Sequence, residues 1–215
     1  MSLPTPETIQ CPECGEEFEV TVFQSINDSW PNAVEDIMTG ELFRVKCPKC
    51  GHEDRLEYDI LVNDFGHRAW IQVCHEPELI PVHEKALAIN REYMPETRSR
   101  IVHNISELRQ KLTAFFLGRD DRIIELCKYC CYVFLMRQEP GFKLAWDPVY
   151  AANSETKEEA VLFYGENGEE KYTPIGDDLV NAMTHLFENK ATEEDKNRYI
   201  YDFAWAEEFT MNLGK

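Results

Sequence analysis

The chain has 215 residues, 43% hydrophobic and 12% aromatic, which is enough apolar material for one large core or two smaller ones and too much for a disordered segment. Its formal net charge of −18 opposes non-specific attraction to phosphate backbones and to anionic lipid. The longest apolar run, Ile123 to Met136, is interrupted by Glu125 and Lys128 and is shorter than the ~20 residues needed to cross a bilayer.

Ahead of Cys11 no basic start leads into an apolar stretch, so neither a secretory nor an import signal is expected, and a cytosolic address follows. In a reducing compartment the eight cysteines read as four metal ligands plus buried thiols. Cys11-Pro12-Glu13-Cys14-Gly15 is the first of two matching turns; Cys47-Pro48-Lys49-Cys50-Gly51 is the second. A C-x-x-C turn presents two sulfurs at the spacing of a tetrahedral zinc site, and the glycine after each pair permits positive φ. Disulfides or inert core thiols are the plainer reading, but paired spacing of this kind favours zinc. Cys11, Cys14, Cys47 and Cys50 are therefore the predicted ligands of a single Zn²⁺. Four thiolates leave no open position, which makes the site structural; His52 is a lesser candidate ligand.

Between the turns, Phe18, Val20 and Val22 alternate as a half-buried strand. Asp28 or Ser29 is expected to cap a short helix carrying Trp30, Val34, Ile37 and Met38, stopped by Gly40. Glu41 to Lys46 returns as a strand. Leu56, Tyr58, Ile60 and Val62 alternate next, Asn63 to Gly66 turns the chain, and Ala69, Ile71 and Val73 form the partner strand. The segment 9–75 thus reads as a zinc ribbon with a helical insert. From Glu76 to Arg98 the prolines Pro77, Pro81 and Pro95 surround a candidate short helix and suggest a connection. Beyond it, 76–215 reads as an α+β body with helices near 105–117, 121–137, 177–189 and 193–210 and a hairpin near 160–175. The central helix shows apolar residues around most of its circumference, Phe134 among them.

The paired turns, with Gly40-Glu41-Leu42 shortly before the second and Arg100-Ile101-Val102, Glu107-Leu108, Lys111 and the run Gly118 to Glu125 after it, resemble the bacterial CpXC protein family over roughly Cys11 to Lys128. Phe43 stands where such proteins often carry an asparagine, a departure that leaves the cysteines untouched. The resemblance implies the same four cysteines as the defining residues and implies no reaction.

Other clusters have bland readings beside sharper ones. Cys127, Cys130 and Cys131 share a helix face and could recruit a second metal, though core packing is favoured. Cys74, His75, His67 and His83 read as ordinary core or surface residues. Asp120, Asp121 and Glu125 could serve as an acid-base pair or a Mg²⁺ site, yet helix capping explains them more simply. The basic stretch from Arg98 to Arg122, with Arg100, Arg109, Lys111 and Arg119, could grip nucleic acid or pair with this chain's own acidic tail. No nucleophile motif or cofactor loop is present. The favoured reading is a non-enzymatic protein-interaction module with a structural zinc; the second is a nucleic-acid-binding zinc ribbon, and the third a metal-dependent hydrolase.

Overall fold

The computed structural model describes residues 2–213 and shows an α+β protein with two compact units, one up to Ile105 and one from Ser106 onward. In the first unit, β1 (Leu3–Gln10) pairs antiparallel with β2 (Glu17–Asn27), and the Cys11 turn joins them. β1 carries Pro4 and Pro6, which donate no ladder hydrogen bonds, and it occupies the sheet edge where that loss is tolerated. The prolines hide this strand from a periodicity reading.

The five-stranded sheet has the order β1, β2, β5 (Leu61–Asp64), β6 (Ala69–Val73) and β7 (Arg98–Val102). β2 runs parallel to β5, in register from Ser25 opposite Leu61, so the chain between them must cross over. That crossover holds the insert: α1 (Ala33–Thr39), then the hairpin of β3 (Arg44–Lys46) and β4 (Glu53–Arg55), whose tip is the Cys47 turn. The start of α1 departs from expectation, since Asn32, with φ of 61°, occupies the cap rather than Asp28 or Ser29. Gly40 ends the helix at φ 89° as predicted, and Glu41–Phe43 forms a short 3-10 turn instead of the first half of a strand. The strand expected over 56–62 is confined to Leu61–Asp64.

β6 is parallel to β7, with Ala69 opposite Arg98, and α2 (Ile80–Tyr93) makes this second crossover. The expected boundary at 75/76 therefore gives way to one at 105/106, because the stretch read as a connector supplies a helix and the last strand of the first sheet. Ile26, Ile60, Ile71 and Val73 are fully buried in this unit, each side chain contributing ~1.5–3 kcal/mol through burial.

The second unit builds α3 (Ile105–Phe116), α4 (Asp121–Gln138), α5 (Asp177–Lys190), α6 (Glu193–Asn197) and α7 (Phe203–Asn212) with an antiparallel sheet of β8 (Val149–Ala152), β9 (Glu159–Tyr164) and β10 (Glu170–Ile175). The single helix expected at 193–210 is two, broken over residues 198–202 between α6 and α7, where Asp202 caps α7 by accepting from the Trp205 amide. The hairpin at 160–175 is present and gains β8 as a third strand. Along α4, Ile123, Leu126 and Cys127 are buried, while Phe134 is exposed, because the helix is covered on one broad side only. Among the described residues no helix is long and apolar enough to cross a membrane.

Candidate metal centre

The two cysteine turns have the same backbone construction. In the first, the Cys11 amide donates to the Glu16 carbonyl at 2.8 Å and the Gly15 amide to the Cys11 carbonyl at 2.9 Å. In the second, Cys47 donates to His52 at 2.8 Å and Gly51 to Cys47 at 3.0 Å. Gly15 and Gly51 sit at φ 71° and 75°, with nothing within 4 Å of where a Cβ would point, so the requirement for glycine is conformational rather than steric. Lys49 Nζ bridges the turns by pairing with Glu16 Oε2 at 2.9 Å.

All four predicted sulfurs converge: each lies within 4.8 Å of the others, with Cys11 Sγ 3.6 Å from Cys50 Sγ and Cys14 Sγ 3.7 Å from Cys47 Sγ. Four sulfurs placed at about 2.3 Å around a tetrahedral centre are about 3.8 Å apart, so the cluster has the dimensions of a metal-thiolate tetrahedron. These separations exceed the ~2.05 Å of a disulfide, and all eight cysteines are free thiols. Cys11 and Cys47 are buried and Cys50 is exposed, which sets the cluster at the surface with its inner half covered. His52 is outside the cluster.

Electrostatics distinguish the sulfurs. The amides of Cys50 and Lys49 point at the Cys47 sulfur and, against the effect of burial, bring its pKa down to about 6. Cys50 accepts from the His52 amide, but the local desolvation of its sulfur against the cluster and the neighbouring thiols of Cys14, Cys11 and Cys47 outweigh that bond and push it up to about 12. A shared cation is the group that lets all of them ionise together, since ligation requires thiolates.

The remaining candidates resolve differently. Cys127 and Cys131 join the apolar core and form no cluster of ligand atoms among the described residues; burial pushes Cys131 up to about 12. Asp120 caps α4, accepting from the Arg122 amide at 3.0 Å and pairing with its guanidinium at 2.6 Å. Asp121 and Glu125 are 1% and 3% exposed and face Lys111 Nζ at 3.4 and 3.0 Å, while Lys128 Nζ is 2.8 Å from Glu125 Oε2. Lys111 also donates to the Tyr201 carbonyl, and Lys128 to Gln110 Oε1 at 3.0 Å. Two buried carboxylates matched by two buried ammonium groups make a neutral structural network, not a solvent-facing acid-base pair. The basic stretch is likewise divided. Arg100 and Lys111 are buried, and Arg119 reaches Glu159 at 2.5 Å and Asp177 at 2.8 Å, so part of it pairs with the acidic tail.

Of the scattered histidines, His67 is held by Asp64 at 2.7 Å. Cys74 and His83 are brought together with Asp59, a residue that sequence reasoning alone does not single out. Its one signal is a polar side chain among the alternating Leu56, Tyr58 and Ile60, and nothing in that pattern specifies what faces it.

Fold and cluster together define an α+β protein with a surface-set, four-cysteine site dimensioned for a metal ion. The chain belongs to the CpXC protein family, whose family model matches residues 9–128 and so takes in the whole cluster and more than half of the chain. No curated protein and no solved structure matches it.

Proposed function

We propose that this chain is a non-enzymatic protein-interaction module of the bacterial cytosol, in which Cys11, Cys14, Cys47 and Cys50 hold one structural Zn²⁺ in a zinc-ribbon arrangement. Tetrathiolate coordination suits zinc among the common divalent ions and leaves it no vacant position for substrate. The metal's role is to pin two hairpins that are far apart in sequence.

The observation that carries the interaction reading is the outer face of α2. Ile80, His83, Leu87 and Asn90 turn inward, whereas Val82, Ile89 and Tyr93 are 59%, 59% and 82% exposed. Spacings of seven and four place these three on one stripe, the pattern by which an amphipathic helix meets a protein groove. Exposed apolar surface of this kind marks contact sites. The formal charge of −18 favours a partner with a basic surface and disfavours nucleic acid.

The test pairs co-purification from the native cell with reconstitution from purified components. The double variant Val82→Glu, Ile89→Glu should keep its stability within about 0.5 kcal/mol, because both sites are exposed. It should lose about 2 kcal/mol or more of partner affinity. Undiminished affinity of the purified partner for the variant would sink the assignment of this face.

A further inference from the structure

We propose that Asp59, Cys74 and His83 form a second metal site, for a divalent transition-metal ion held by three protein ligands. The topology brings them together. β5 and β6 are antiparallel, with Leu61 opposite Gln72, and the Val73 amide extends the ladder by donating to the Ile60 carbonyl at 2.9 Å. The residue before Ile60 and the residue after Val73, Asp59 and Cys74, therefore share the open end of this pair. His83 arrives from the first turns of α2 on the helix's inward side.

One ligand atom from each residue lies within 4.8 Å of the others. Ligation draws such atoms to about 3.3–3.6 Å, a contraction within reach of side-chain torsions. One polar atom here is otherwise hard to account for. His83 Nε2 is buried without a hydrogen-bond partner, and such a nitrogen is destabilising unless something occupies its lone pair or takes its proton. The Cys74 thiol, fully buried, donates to the Glu76 carbonyl at 3.1 Å, a bond that gives way when the sulfur ligates as thiolate.

The support behind the ligands is also that of a metal site. Asp59 Oδ1 accepts from the His75 amide at 2.9 Å and faces His75 Nδ1 at 2.8 Å, so the carboxylate is oriented by a residue adjacent to another ligand. The donor set of one thiolate, one imidazole and one carboxylate suits a borderline ion such as Zn²⁺, and its two negative charges match that of the cation. Three protein ligands leave a coordination position for water, in contrast to the closed four-cysteine cluster.

The experiment compares metal content of the full chain with that of His83→Ala and Asp59→Asn after chelation, reloading with Zn²⁺ and removal of excess ion. Both variants should hold one equivalent less than the unaltered chain, and Co²⁺-loaded Cys74→Ser should lose part of the thiolate charge-transfer absorption. His75→Ala should weaken the same equivalent about 10–100-fold. The reading is the difference between proteins, so it stands whether or not the four-cysteine cluster is filled. Circular dichroism confirms folding, and His83→Asn substitutes for His83→Ala should the latter unfold. Equal metal content in the unaltered chain and in the folded His83 and Asp59 variants overturns the site.

Discussion

Cys11 Sγ sits 3.6 Å from Cys50 Sγ although the two residues are 39 positions apart in the chain. One cysteine follows the edge strand β1 and the other caps the β3–β4 hairpin, so a bound ion would tie the rim of the main sheet to the insert that crosses between β2 and β5.

From that tie follows the effect of Cys47→Ser. Structural zinc contributes on the order of 10–16 kcal/mol to folding of a small module, comparable to the whole stability of a domain. The variant should lose the ion and, with it, amide protection in β2, β3 and β4. Hydrogen exchange with parallel metal analysis measures both; unchanged protection and metal content would contradict the structural role.

The thiols of chelator-treated protein should titrate unequally. Cys47, brought down from 9.0 to about 6, should alkylate with a pH midpoint near 6, whereas Cys50, pushed up to about 12, should react only in strong base. Because the folded-state value of Cys47 is the lower one, its ionisation contributes stability in full above about 9, and that contribution is lost as pH falls through about 6. Mass spectrometry of alkylated peptides resolves the two cysteines.

Gly51→Ala tests the backbone rather than the ligands. At φ 75° and with open space at the Cβ position, the substitution should cost about 1–2 kcal/mol through left-handed strain alone. Chemical denaturation of the metal-loaded protein would show it, with metal stoichiometry retained.

In the second unit, Glu125→Ala leaves Lys111 and Lys128 buried without their shared carboxylate. Removing one partner from such a network costs about 3–5 kcal/mol. Urea denaturation followed by the fluorescence of Trp205, which belongs to the core of this unit, reports the change. A loss below about 1 kcal/mol, the scale of an exposed pair, would mean the network is solvated.

Elements with strict periodicity are legible in the order of residues alone. Ala69, Ile71 and Val73 alternate because one strand face is buried, and Ile123, Leu126 and Cys127 repeat because α4 is covered by its unit's core. The elements that escape such a reading share a different cause. β1 carries prolines that only an edge position tolerates; β7 is short and charged, with Arg98, Ser99 and Arg100 concealing its place in the sheet; and α6 and α7 are separated by a cap that periodicity does not register.

The four-cysteine cluster follows from local chain order, because C-x-x-C turns position their sulfurs over a few residues and two such turns supply a complete tetrahedron. Folding in three dimensions was needed to establish what Asp59, Cys74 and His83 are to one another, and that Asp121 and Glu125 are paired with lysines. Those relationships depend on strand register and helix docking, which are set by burial summed over a whole unit and leave no mark on the spacing of the residues involved.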